Sequence, residues 1–134
     1  MVTRTAAQRR EQRRAEHQAA LAGCPTHRVL DRLGDKWVSL VLKELGAGPR
    51  RHGELARGIA GASQKMLTQT LRTLERDGLI SRTVTAGVPV QVDYALTPLG
   101  LSLMPVMAAV TSWAEANIDR LDTARRNYDA ARRA

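Results

Sequence analysis

At 134 residues with 43% hydrophobic content, the chain is long enough for one domain with a real core, and no second independent core is expected. There is no Phe and only 3% aromatic residues, so that core should be aliphatic, built from Leu, Val, Ile and Met around Trp37, Tyr94 and Trp113. A formal net charge of +8 points to a polyanionic partner, nucleic acid foremost, and a single cysteine excludes an intramolecular disulfide framework.

The N-terminal stretch VTRTAAQRREQRRAEHQAALAG is basic and polar and lacks the apolar centre of a secretory signal. No uninterrupted apolar run nears the roughly 20 residues that span a bilayer, so a cytoplasmic chain without membrane contact is expected. Residues 4–22 are rich in Ala, Gln, Arg and Glu and free of Gly and Pro, which predicts a helix ended by Gly23. Its apolar stripe is almost all alanine. Such a helix is marginal alone and depends on a partner or on nucleic acid.

Pro25 suits the first position of a second helix, with Cys24 as its N-cap and Val29, Leu30 and Leu33 facing inward as far as Gly34. Asp35 caps KWVSLVLKELG, which is predicted to bury Trp37, Leu40, Val41 and Leu45 and to stop at Gly46 ahead of Pro49. A short helix over 50–61 should carry Leu55, Ala56 and Ile59 inward, although Gly53 and Gly58 weaken it. Ser63 caps the next helix, where Leu67, Leu71 and Leu74 form an i, i+4, i+7 stripe before Gly78.

The period then falls to two. Val90, Val92, Tyr94 and Leu96 alternate with Gln91, Asp93 and Ala95 as in a half-buried strand, paired with Leu79 to Thr85 across a tip at Ala86-Gly87-Val88-Pro89. Thr97-Pro98 opens a last helix whose stripe of Leu99, Leu103, Val106, Met107, Val110, Trp113 and Ala114 continues for about five turns. A kink is expected at Pro105 and fraying from Asp122 onward.

Short helices, a hairpin and a long helix, in that order, predict a mainly α chain with a small β-hairpin: a winged helix-turn-helix with an extra N-terminal helix and a long C-terminal dimerisation helix. The expected parts are a basic arm over 1–23, the winged domain with its dimerisation helix over 24–121, and a charged tail over 122–134. In that architecture the helix led by Ser63 enters the major groove, where base edges are displayed. Gln64, Lys65, Thr68, Gln69 and Arg72 lie roughly opposite its leucines. Gln pairs bidentately with adenine, and Lys or Arg meets guanine or phosphate. Arg50, Arg51 and His52 before the third helix, with Arg82 and Thr83 in the hairpin, are candidate phosphate contacts.

Leu103, Val106, Met107, Val110 and Trp113 offer more apolar surface than one small domain needs to cover. A symmetric helix pair would bury it and match a palindromic site; packing across the chain's own domain is the alternative. Cys24 sits at a helix N-terminus near Arg28 and is either a sensing thiol or a buried structural one. Cys24 and His27 are spaced like half of a metal pair, but His17 and His52 are scattered, so no metal is expected. No Ser-His-Asp order, carboxylate pair or phosphate-cradling glycine loop stands out, which predicts neither an enzyme nor a cofactor.

From Cys24 to about Leu121 the residues resemble the HxlR-type winged-helix transcription regulators of bacteria. The cues are C-P near the start, G-D-K-W, L-x-x-G-I, S-Q-K-M-L-T-Q-x-L-R-x-L-E-x-D-G-L-I and V-x-Y-x-L-T-x-L-G. The resemblance implies a homodimer on a palindromic operator in double-stranded DNA, regulating nearby genes in response to a small-molecule effector or to oxidants, with Cys24 where some members carry a sensing cysteine. His52 stands where the family usually has an aromatic, and the arginine-rich arm exceeds the usual lead-in. Two rivals remain from the residues alone. A protein-interaction module would bind independently of salt, and a nonspecific architectural binder would tolerate a scrambled site.

Overall fold

A computed structural model describes residues 3–133; residues 1 and 2 of the basic arm and residue 134 of the charged tail lie outside it. The elements run α1 (Ala6–Gly23), α2 (Pro25–Leu33), α3 (Lys36–Gly46), β1 (Arg50–Arg51), α4 (His52–Gly58), α5 (Gln64–Arg76), β2 (Ile80–Thr85), β3 (Gln91–Leu96) and α6 (Pro98–Arg133). This is the winged helix-turn-helix order. The sheet has three antiparallel strands in the order β1-β3-β2, not two, because Arg50 and Arg51 pair with Tyr94 and Asp93. Two residues are too few to show alternation, which is why the sequence reads them as helix.

The caps form where the sequence places them. Asp35 accepts from the backbone N–H of Trp37 at 2.8 Å and of Val38 at 3.2 Å, and Ser63 accepts from Met66 N–H at 3.1 Å. Thr97 ties two elements together. Its hydroxyl donates to Gly78 C=O at 2.6 Å, where the chain leaves α5, and accepts from Gly100 N–H at 3.1 Å in the first turn of α6. Gly100 is buried, and a Cβ there would overlap the carbonyl oxygen of Leu79, so α6 starts in backbone contact with the turn behind α5.

The core gathers Val38, Val41, Leu42 and Leu45 of α3, Leu55 and Ile59 around α4, Leu67, Leu71 and Leu74 of α5, Ile80, and Tyr94. It is aliphatic, as composition requires, but Tyr94 is its one aromatic member. Trp37 packs half-buried at the edge and Trp113 is 59% exposed. The inward face of α3 is rotated from the predicted one, burying Val38 and Leu42 in place of Trp37 and Leu40. Apolar residues cover roughly 200° of this helix at 100° per residue, so periodicity alone does not choose the face. Ala56 is exposed and only Leu55 and Ile59 of its segment point in. Along β3 only Tyr94 is buried, and Val90, ahead of the strand, is exposed.

Two further expectations change. Val29 and Leu30 of α2 are exposed, and only Leu33 is half-buried. Helix α6 does not fray at Asp122 but runs on as one 36-residue helix, through Pro105, to Arg133. By length and composition α6 is apolar enough to cross a membrane, and 6% of that apolar stretch is buried within the chain.

Candidate nucleic-acid interface

The polar front of α5 exists because its back is fully used. Leu67, Leu71 and Leu74 are buried, and Thr70 joins them by donating its hydroxyl to Met66 C=O at 2.8 Å, which satisfies the one polar side chain on the buried face. At 100° per residue, Lys65, Gln69 and Arg72 then fall within roughly 60° of one another on the opposite side. All three are exposed. Arg76 lies on the same arc, one turn beyond Arg72, and is also exposed. Its i+4 spacing was the signal for it in the sequence, and it joins the predicted set. Gln64 is exposed but sits roughly 20° from Leu71 in helical angle, at the flank of the face. Thr68 is half-buried, and Ser63 spends its hydroxyl on the cap.

Beside α5 the sheet sets out a second group. The register aligns Arg51, Asp93 and Thr83 across the three strands, and Arg50, Tyr94 and Arg82 in the next row. Directly opposed residues share a face and successive ones alternate, so Arg82 and Thr83 project from opposite faces of the wing. Arg51 Nε lies 4.0 Å from Asp93 Oδ1, while its backbone N–H donates to Glu54 Oε1 at 3.0 Å in the first turn of α4. His52 is half-buried, with its ring tilted against that of Tyr94 at 6.5 Å between centroids.

Cys24 is the N-cap residue of α2 by backbone geometry. Its side chain makes no capping hydrogen bond and is half-buried. Among the described residues no group of three His, Cys, Asp or Glu could hold a metal ion. On α6, Leu103 and Met107 are half-buried against the core, while Val106, Val110 and Trp113 are exposed along with Leu99, Ile118, Leu121 and Tyr128.

A winged helix-turn-helix with a polar, cationic front on its second helix-turn-helix helix defines the class of DNA-binding transcription regulators. Residues 32–122 match the HxlR-like helix-turn-helix family, and the chain belongs to it. It is 41% identical over 112 residues to the HTH-type transcriptional regulator YdeP of Bacillus subtilis, covering 84% of each chain. Among solved structures, the redox regulator HypR in its reduced form superposes with a TM-score of 0.71 at 36% identity, covering 75% of this chain and 99% of that one. The reduced form of the regulator YodB of B. subtilis gives 0.63 at 35% identity, over 69% of this chain and 91% of that one.

Proposed function

We propose that the chain acts as a homodimer that binds a palindromic operator, each α5 reading base edges in successive major grooves. The observation that carries this reading is the α5 arc of Lys65, Gln69, Arg72 and Arg76, all exposed, directly behind which three leucines are buried. Gln69 is the base-reading candidate for adenine, with Gln64 at its flank; Lys65 and Arg72 meet guanine or phosphate. Arg51 and Thr83 share one face of the wing and hold the backbone there, Arg82 lies on the other face, and Ser63, Thr68 and His52 position the helix and wing.

The exposed apolar face of α6 is the surface that two copies share. One chain leaves Val106, Val110 and Trp113 to solvent, and a two-fold helix pair covers them without any other partner. The same stripe accounts for the apolar length of α6 without a membrane. A cytoplasmic location follows from an operator on chromosomal DNA.

HypR is a redox regulator. In this chain Cys24 is the one thiol, so a thiol-based response to oxidants or electrophiles passes through it. A small-molecule effector is the second route to regulation. Genomic fragments selected by the purified protein, with and without oxidant and with Cys24→Ser, test both levels. A selected site should bind roughly a thousandfold tighter than its scrambled version. Equal binding would remove the operator assignment, and identical behaviour of Cys24→Ser under oxidant would remove the thiol.

A further inference from the structure

Helix α1 lies wholly ahead of residues 32–122, the part that defines the family. It is well made as a helix: Thr5 and Gln8 form a reciprocal capping box, with bonds of 2.8 and 3.1 Å. Yet none of its 18 residues is buried, and it meets the domain at its C-terminal end, against α2. A helix without a buried face gains little from packing, so its sequence is free to serve something else.

Its cationic residues share one side. At 100° per residue, Arg9, Arg13, His17, Arg10 and Arg14 fall within roughly 140° of the circumference, while Ala15, Ala19, Ala22, Gln8 and Gln12 occupy the opposite arc. Arg9 with Arg13, and Arg10 with Arg14, are like-charged i, i+4 pairs, each of which weakens an isolated helix by about 0.2 to 0.5 kcal/mol. The glutamates do not offset this. Glu16 accepts from Gln12 at 3.0 Å, and no salt bridge among the described residues involves any of these arginines. Repulsion retained on one face with no internal counter-charge is relieved by an external polyanion. Arginines one turn apart stand about 6 Å apart along the axis, and a duplex carries a phosphate about every 3.4 Å of axis on each strand, so several can face one strand together.

We infer that the arginine face of α1 is a second, sequence-independent DNA contact that grips phosphates outside the base pairs reached by α5. The inference rests on α5 as the base reader only for where those phosphates lie. Helix α1 is about 27 Å long and is anchored at one end, so Arg9 and Arg10 stand nearly four turns out from the joint at Gly23. That reach adds length to the footprint without adding sequence information.

The test compares the full-length wild type with R9Q/R10Q/R13Q/R14Q and R9K/R10K/R13K/R14K on a mixed-sequence duplex of about 40 base pairs, across a salt series. Circular dichroism checks that α1 persists, since Gln and Lys keep helix propensity. The Gln variant should lose about 0.9 units of the log K against log salt slope per phosphate contact, two or more units per dimer, and the Lys variant should restore them. An unchanged slope in the Gln variant overturns the inference. So does an unchanged slope with a weakened dimer, which would place the arginines on the Glu115, Asp119 and Asp122 stripe of a second copy's α6. Because the duplex has no chosen sequence, loss of operator preference sinks the α5 assignment and leaves the slope difference standing.

Discussion

Arg32 Nε lies 2.5 Å from Asp77 Oδ2, and its Nη2 lies 3.4 Å from Oδ1, so a two-bond ion pair joins the last turn of α2 to the C-cap residue of α5. The helix capped by Cys24 is thereby fastened to the end of the helix proposed to face DNA. Both groups are partly exposed, at 43% and 30%, so solvent and salt screen the pair. A double-mutant cycle of Arg32→Ala and Asp77→Ala in urea unfolding should give a coupling of about 0.5 to 1 kcal/mol, shrinking in 1 M salt. No measurable coupling would show the pair to be incidental.

The α5 face should divide by chemistry. Gln69→Ala is expected to relax discrimination at one base pair by about 1 to 3 kcal/mol, whereas Arg76→Gln should weaken binding to every sequence and lower the salt slope by about one unit. Binding to a panel of single-base variants of a selected site separates the two effects. Uniform loss from Gln69→Ala would take it out of the base-reading set.

Gly100→Ala should be among the most damaging substitutions outside the core. Its Cβ would overlap a backbone oxygen at Leu79, which cannot swing away as a side chain can. A loss of about 3 kcal/mol or more, or failure to fold, is expected in thermal or urea unfolding. Thr97→Val, which removes both hydroxyl bonds but keeps the shape, should cost about 1 to 2 kcal/mol.

Trp113→Glu or Val110→Asp should dissociate the proposed dimer while leaving the winged domain folded, since both side chains are exposed in the single chain. Sedimentation velocity reads the change directly, and DNA affinity should fall by about a hundredfold or more as the two half-sites are bound separately. A monomeric wild type would refute the interface outright.

Leu74→Ala and Leu42→Ala remove fully buried side chains from α5 and α3 and should each cost about 2 to 5 kcal/mol. Unlike Arg76→Gln, they should weaken DNA binding only in proportion to the unfolded fraction, which urea titration measures on the same samples.

Local chemistry settled much of this protein in advance. Ser63, Asp35 and Thr97 cap helices through bonds to residues two or three positions away, and the α5 leucine stripe has one narrow face, so those elements and the arc opposite them follow from the order of residues alone. The motifs from Cys24 to about Leu121 carried the family in the same way. What folding in three dimensions decided were the choices with more than one local answer. Helix α3 is apolar round more than half its circumference, so its neighbours chose Val38 and Leu42 over Trp37 and Leu40. Arg50 and Arg51 became a strand only because β3 offered a free edge. Val29, Leu30 and Trp113 look like core by composition, yet a single chain has nothing to set against them. The close approach at Gly100, between segments that meet only after the wing has folded back, has no local signature, because burial belongs to pairs of surfaces and a sequence lists one at a time.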